Sequence, residues 1–250
     1  MGAGHRFTDP RGKWQHLSYH VHAIDEDLLT TGVMFDGSSI TGWKDIQDSD
    51  MLLKPRPETA VRDPFAETPT LILICDVKEP KTGEHYGRGS RGIAKRAQEY
   101  LTESGIGDTA YFGPEAEFFV FDSVRFSVDQ NHSFYEIDSE EGPYNSGKDY
   151  EDGNLGHRPG PKGGYFPVPP LDHGTAMRDD MLSTLLEMGV DVEKHHHEVA
   201  PSQHELGVRF NTLVRCADDL QKYKYVVHNV AQAHGKTATF MPKPVMNDNG

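Results

Sequence analysis

Apolar and polar positions along the first third of the chain predict strands separated by turns. From Trp14, the segment WQHLSYHV alternates apolar and polar residues, which predicts a half-buried strand, and Thr70–Val77 is a continuous apolar run typical of a fully buried strand. The prolines of the KPRP segment at residues 54–57 exclude a helix there. No segment before Ser90 predicts a helix longer than about one turn, so this region is expected to be a small, mostly β domain.

Three later segments have helical periodicity. The first begins at Ser90, a potential N-cap, and stops at Gly105. The second is predicted from about Thr175 to Met188 and the third from about Ala217 to His234. The apolar faces consist of Ile93, Ala94, Ala97, Tyr100 and Leu101 in the first helix and Met177, Met181, Leu185 and Met188 in the second. Strands and helices in this arrangement predict an α+β fold.

A polar, glycine-rich segment from Ser123 to Lys162 predicts a long loop. Loops of that length are uncommon in compact domains, and most of them are functional or become ordered by partners. We therefore expect this segment to be functional or to be ordered by partners.

Acidic residues stand inside two runs that otherwise predict buried strands, GPEAEFFVF from Gly113 and HHHEVAPSQHELGVRF from His195. Glu115 and Glu117 are two residues apart, so on a strand they would point to the same face. Two carboxylates side by side in an apolar setting repel and desolvate each other, and a cation between them would keep both ionised. This pair therefore predicts a metal site.

A second pair of acids, Glu198 and Glu205, flanks a Pro201-Ser202 turn. A hairpin-like reversal there would bring both carboxylates to one end of a sheet. Together with the first pair they make four acids, which taken alone are equally compatible with a solvated surface. The alternative is a set of carboxylates that holds Mg²⁺ or Mn²⁺ beside a phosphate-bearing substrate.

Two other motifs have weaker functional interpretations. Residues 87–92, GRGSRG, fit the G-x-G-x-x-G pattern of dinucleotide sites, but the segment after Val77 is too long for the tight strand-to-helix turn of that motif. The triplet His195-His196-His197 suggests zinc, but consecutive strand residues alternate faces and no cysteine is nearby. We expect His195 or His197 to be packed in the core or hydrogen-bonded to an acid.

Composition excludes some classes of binding partner and indicates the cellular compartment. A net charge of −14 argues against nucleic acid, whose phosphates would be repelled. The two cysteines, Cys75 and Cys216, have no CxxC partner, which favours reduced, buried thiols in a cytosolic protein. No stretch approaches the ~20 apolar residues of a membrane helix, and the polar N-terminus lacks a signal-peptide core. A cytoplasmic protein with no membrane association is expected.

Six segments carry a resemblance to a known family. They are MFDGSSITGWK, GPEAEFFVFD, GHRPGPKGGYFPVPP, HHHEVAPSQHE, YKYVVHNVA and GKTATFMPKP. In order and spacing they resemble a bacterial type I glutamine synthetase over residues 6–250. The resemblance implies a β-grasp domain over residues 1–83 and, over residues 84–250, part of a catalytic domain with a curved antiparallel sheet.

The resemblance also implies an activity and an assembly. The family joins ammonia to L-glutamate with ATP, through γ-glutamyl phosphate, and uses two divalent cations, Mg²⁺ or Mn²⁺. Bacterial members form two stacked hexameric rings, in which neighbouring subunits share each active site.

Site residues follow from the same resemblance, position by position. Glu117, Glu198 and Glu205 resemble the three ligands of one metal, and Glu115 resembles a ligand of the second. Asp36 resembles the acid that holds ammonium and helps remove its proton, acting across the subunit boundary, and Tyr165 resembles the aromatic edge of that pocket. The remaining matches are Glu193 and Phe210 for the nucleotide and Glu117, Asn249 and Gly250 for glutamate.

The resemblance stops inside a family motif at Gly250 and begins after the family's opening helix. It implies that about half of a full-length enzyme, including the other ligands of the second metal and the phosphate-gripping arginines, is not in this sequence. We therefore expect the 250-residue chain alone to be inactive. Two hypotheses remain: a segment of a working glutamine synthetase, which the abrupt stop favours, or a truncated, inactive metal-binding or assembly module.

Overall fold

A computed structural model describes residues 2–142 and 156–250. In chain order the elements are β1 (Gly2–Thr8), β2 (Trp14–His20), α1 (Glu26–Thr31), β3 (Val33–Asp36), β4 (Asp50–Pro55), β5 (Val61–Arg62), β6 (Thr70–Lys78), α2 (Ser90–Glu103), β7 (Tyr111–Phe112), β8 (Glu117–Phe121), β9 (Ser123–Val128), β10 (Ser133–Asp138), α3 (Thr175–Glu187), β11 (Val192–His197), β12 (Gln203–Val208), β13 (Asn211–Thr212), α4 (Leu213–Ala233) and β14 (Thr237–Thr239). This mixture confirms the predicted α+β class.

The chain divides into two compact units. The first unit comprises Met1–Phe112 and Phe210–Gln221, and the second comprises Gly113–Arg209 and Lys222–Gly250. The predicted domain boundary after residue 83 stays a prediction.

The first unit contains a mixed sheet in the order β2-β1-β6-β4-β3, with β5 also paired to β6. β1 and β6 run parallel, and the other pairs are antiparallel. Both strands expected from the apolar pattern, β2 and β6, are confirmed. The expectation of no helix longer than about one turn is wrong for α1, because Asp25 caps this six-residue helix by accepting the Leu28 amide at 2.8 Å.

Helix α2 packs through charged residues rather than through its apolar face. Ile93 and Tyr100 are 50% and 67% exposed, whereas Arg91 and Lys95 contact the buried carboxylate of Asp76 on β6. The predicted N-cap is also wrong: Ser90 is the first helical residue, after Gly89. Gly105, with φ of 72°, ends the helix as expected.

The second unit is built on an antiparallel sheet in the order β11-β12-β8-β14. Helix α3 packs against β11 through the predicted methionine and leucine face, which is buried as expected: Met177, Met181, Leu185 and Met188. Two aromatic strand residues, Phe119 and Phe121, pack with Ala200 in a smaller apolar cluster. This packing holds the segment between β11 and β12 against β8.

Several predicted bounds are corrected. β8 begins at Glu117, so Glu115 precedes the strand and the two acids do not form a same-face strand pair. The start of the expected Ser123–Lys162 loop is instead a hairpin of β9 and β10, and residues 143–155 of that loop lie outside the described residues.

Across residues 2–142 and 156–250, no helix has both the length and the apolar character that a bilayer span requires.

Candidate metal centre

Strand register places three ligand-type side chains in one row across the second unit's sheet. His196 on β11 pairs with Glu205 on β12, and Glu205 pairs in turn with Glu117 on β8. Directly opposed residues point to the same face of a sheet, and neighbouring strands are about 4.8 Å apart. Glu198 directly follows β11, and the contact of its Oε1 with His196 Nε2 brings it into the same group.

The distances within this row are short. His196 Nε2 lies 2.7 Å from Glu198 Oε1 and 3.7 Å from Glu205 Oε2. One ligand atom from each of these three residues falls within 4.8 Å of the others, and the two glutamates are only 6% and 9% exposed. Two carboxylates and an imidazole are donors that suit a divalent cation such as Mn²⁺ or Mg²⁺.

The position of Glu117 differs in detail from the expected three-carboxylate set. It stands in the row, but the side-chain amide of Gln203 donates a hydrogen bond to its Oε2. The compact group is therefore His196, Glu198 and Glu205, with Glu117 adjacent to it. Neither His196 nor Gln203 was among the predicted site residues. Each lies two residues from a predicted ligand, His196 from Glu198 and Gln203 from Glu205, and this spacing is the signal that could have identified them.

Electrostatics in this row oppose full ionisation. Burial raises the pKa of Glu117, and the charges of Glu198, Glu205 and Glu115 raise it further. Burial also raises the pKa of Glu205, with Glu198 and Glu115 acting in the same direction and His196 opposing them. Glu115 itself is exposed and precedes β8. A bound cation would relieve this repulsion.

A tight reversal joins β11 to β12, as the Pro-Ser turn predicted. The Glu198 amide donates to Gln203 O at 2.8 Å, and the Gln203 amide donates to Ala200 O at 3.1 Å. Ser202 adopts φ of 67°, in the left-handed region. The turn thus brings Glu198 and Glu205 to one end of the sheet.

Tyr165 reaches this end of the sheet because the backbone at Gly164 lies against the turn. The Gly164 amide donates to Val199 O at 2.9 Å, and a Cβ at this glycine would stand 2.7 Å from Glu198 O. Tyr165 is 55% exposed and stacks on Phe166 with ring centroids 4.0 Å apart. The His196 ring meets both aromatic rings edge-on.

The other two histidines of the triplet bond to acids, as expected. His195 Nε2 is 2.7 Å from Asp179 Oδ1, and His197 Nε2 is 2.8 Å from Glu141 Oε2. Glu141 was not predicted, because no local pattern links it to a residue 56 positions away.

Two predicted site residues lie in the first unit. Asp36 is exposed at the end of β3, and its Oδ1 accepts hydrogen bonds from the Ser38 amide at 2.8 Å and the Ser38 hydroxyl at 2.6 Å. These bonds lower the pKa of Asp36. Phe210 is 66% exposed and meets the Tyr111 ring edge-on.

The remaining predicted residues lie in the second unit. Glu193 is exposed on β11 and accepts a hydrogen bond from Arg209 Nε at 2.8 Å. Asn249 donates its amide to Asp248 Oδ1 at 2.9 Å, and Gly250 follows as an exposed residue. Within the part of the chain that the structure describes, Glu193, Asn249 and Gly250 have no contact with the cluster of His196, Glu198 and Glu205.

Comparisons with known proteins agree with this architecture. Residues 87–250 match the family described as glutamine synthetase, catalytic domain, and residues 4–80 match glutamine synthetase, beta-Grasp domain. The glutamine synthetase of Azospirillum brasilense is 68% identical over 245 residues, which are 98% of this chain and 52% of that protein. That of Rhizobium meliloti (strain 1021) is 61% identical with the same two coverages.

A solved structure gives the same result. The Plasmodium falciparum glutamine synthetase superposes with a TM-score of 0.91 at 30% identity, covering 100% of this chain and 49% of that one. The chain spans about half the length of the curated relatives it matches. Both family matches together cover most of its residues, so the chain belongs to the glutamine synthetase family.

Proposed function

We propose that the protein to which this chain belongs ligates ammonia to L-glutamate with ATP, giving glutamine through γ-glutamyl phosphate. The observation that carries the proposal is the row of His196, Glu205 and Glu117 with Glu198 beside it, in a chain of the glutamine synthetase family. Acids so placed, with a raised pKa at two of them, suit the binding of a cation.

In this proposal Glu117, Glu198 and Glu205 hold one Mg²⁺ or Mn²⁺, and Glu115 contributes to a second metal. The donor set fits, since carboxylate oxygens are the ligands that these ions prefer. A divalent cation bound there supplies the positive charge that offsets the charge developing on the transferred phosphoryl group. The buried carboxylates of Glu198 and Glu205 fix the place of that charge.

Tyr165 and, from a neighbouring subunit, Asp36 are assigned to ammonium. The Ser38 hydrogen bonds favour the ionised form of Asp36, which suits an acid that holds a cation and then accepts its proton. Tyr165 offers an exposed aromatic face and edge beside the turn that carries Glu198. Glu193 and Phe210 are assigned to the nucleotide, and Asn249 and Gly250 to glutamate.

We further propose that the whole protein is cytoplasmic and self-associates into stacked hexameric rings whose subunits share active sites. Family membership supports self-association in general, and the ring arrangement is the finer part of the proposal. Analytical ultracentrifugation of the whole protein tests it, and a monomer at micromolar concentration would refute it.

The function is tested by glutamine formation from glutamate, ammonium and ATP with Mg²⁺ or Mn²⁺, assayed on the whole protein that carries this chain. Glu198→Gln is expected to abolish turnover. Glu187→Gln is the matched control, because Glu187 is an exposed acid at the end of α3. Full activity in the Glu198 variant would contradict the proposal.

A further inference from the structure

A buried acid lies behind the turn that carries the candidate metal ligands. Glu141, which follows β10, is 3% exposed and takes no part in the chemistry proposed above. Its Oε2 accepts hydrogen bonds from His197 Nε2 at 2.8 Å and from the Ser202 amide at 2.7 Å. Its Oε1 accepts the His173 amide at 3.2 Å. One carboxylate therefore ties together three segments that are distant in sequence.

His197 extends this connection to the backbone of a candidate metal ligand. Its Nδ1 lies 2.7 Å from Glu198 O, while its Nε2 faces Glu141. A carbonyl and a carboxylate only accept, so both ring nitrogens must donate here. The acid, the imidazole and the Glu198 carbonyl thus form a continuous buried chain.

The same carboxylate holds the other side of the turn. Ser202 is in the left-handed region with φ of 67°, where a non-glycine residue needs support from its surroundings. Its amide donates to Glu141, and its hydroxyl bonds to the Ser139 hydroxyl at 2.5 Å. The backbone is therefore fixed at two points between Glu198 and Glu205.

His197, which bonds to Glu141, lies on the opposite face of the sheet from the candidate metal ligands. His197 pairs with His204, one residue from the His196 and Glu205 pair, so alternation directs these two histidines away from the acids. His204 is buried and its ring meets that of His197 edge-on. An interaction on one face therefore sets the backbone that aims Glu198 and Glu205 from the other.

We propose that Glu141 is a positioning residue for the metal centre formed by Glu198 and Glu205. It acts through His197 and the Ser202 amide, without contacting the metal or a substrate. The inference rests on the proposed function, because it assigns a role in the same metal site. Hydrogen-bonded groups behind metal ligands change affinity by about 10- to 100-fold when they are removed.

The test compares Glu141→Gln with Glu140→Gln in the full 250-residue chain. Glu140 is the neighbouring acid and bonds to Lys236 at 2.8 Å rather than to the turn, so it is the matched control. Mn²⁺ dissociation constants are measured by electron paramagnetic resonance, and melting temperatures by circular dichroism. We expect about 10- to 100-fold weaker Mn²⁺ binding for Glu141→Gln and none of this weakening for Glu140→Gln. Glu141→Asp, which keeps the charge, should restore part of the affinity.

A second variant keeps the proposal testable. Ser139→Ala removes the hydroxyl partner of Ser202 and should weaken Mn²⁺ binding in the same direction by a smaller factor. If both Glu141→Gln and Ser139→Ala bind Mn²⁺ with an affinity within twofold of that of the unsubstituted chain, the positioning role is overturned and the metal centre is left intact. If the unsubstituted chain binds no Mn²⁺, the metal centre itself is refuted, and the positioning role with it.

Discussion

Glu205 lies directly opposite Glu117 in the antiparallel pairing of β12 with β8. Directly opposed side chains in such a pair have Cβ atoms about 4.5–5.5 Å apart, and like charges there are destabilising. The amide of Gln203 relieves part of this repulsion by donating to Glu117. The arrangement therefore stores an unfavourable interaction that protonation or a cation can remove.

The first prediction concerns pH and metal together. The pKa of Glu117 and of Glu205 is higher in the folded chain than in the unfolded chain. Their contribution to stability is therefore fully present at pH values below the pKa of the unfolded chain, and it is lost as the pH rises through the pKa of the folded chain. Mn²⁺ should consequently raise the melting temperature more at pH 7 than at pH 5. Circular dichroism melts with and without Mn²⁺ measure this difference, and an equal increase at both pH values would refute the explanation.

The second prediction concerns Glu205→Gln. Removing one of two opposed charges should stabilise the metal-free chain at pH 7 by about 0.2–1 kcal/mol, while Mn²⁺ binding is lost or strongly weakened. Chemical denaturation and a Mn²⁺ titration measure the two effects. Glu187→Gln changes the net charge equally at an exposed position and should change neither. Destabilisation of the metal-free Glu205 variant would contradict the proposed repulsion.

The third prediction concerns the close approach at Gly164. A Cβ there would stand 2.7 Å from both Glu198 O and His197 Cε1, so Gly164→Ala must push the Tyr165 segment away from the turn. We expect weaker Mn²⁺ binding and about 1–3 kcal/mol lower stability, the range for overpacking. At Gly160 a Cβ would meet nothing within 4 Å, so Gly160→Ala serves as the control and should behave like the unsubstituted chain.

The fourth prediction concerns the buried hydroxyl of Tyr223. It donates to Ala116 O at 2.6 Å and accepts the Leu206 amide at 3.1 Å, which joins α4 to the backbone beside β8 and β12. Tyr223→Phe leaves both backbone groups without this partner and should cost about 1–3 kcal/mol. Urea denaturation measures the cost. Tyr100→Phe, at a residue 67% exposed, should fall within about 0.5 kcal/mol of zero.

Local patterns predicted much of the fold. Continuous and alternating apolar runs identified β2 and β6, and helical spacing identified the buried face of α3, because these signals depend on residues close in sequence. The face of α2 was mispredicted because Asp76, on β6, attracts Arg91 and Lys95. A charge pair between residues distant in sequence produces no periodic pattern of apolar positions along the helix.

The candidate site was predictable to a similar degree. Acids in apolar runs identified Glu117, Glu198 and Glu205, but their order across the sheet depends on strand register. Register joins residues 117 and 205, which no local window contains. Glu115 was placed on the strand, yet the strand begins two residues later. Glu141 could not be found because its partners lie 32 to 61 positions along the chain.

The order of His196 and His197 at the end of β11, with Glu198 directly after them, disfavours one misalignment of this strand. A slip of one residue would exchange the two faces of the strand. In one of its two directions, such a slip would turn Glu198 toward the buried carboxylate of Glu141, where His197 now stands, and would set two anions against each other in the interior. That misalignment therefore carries an electrostatic penalty that depends on neither a metal nor a substrate.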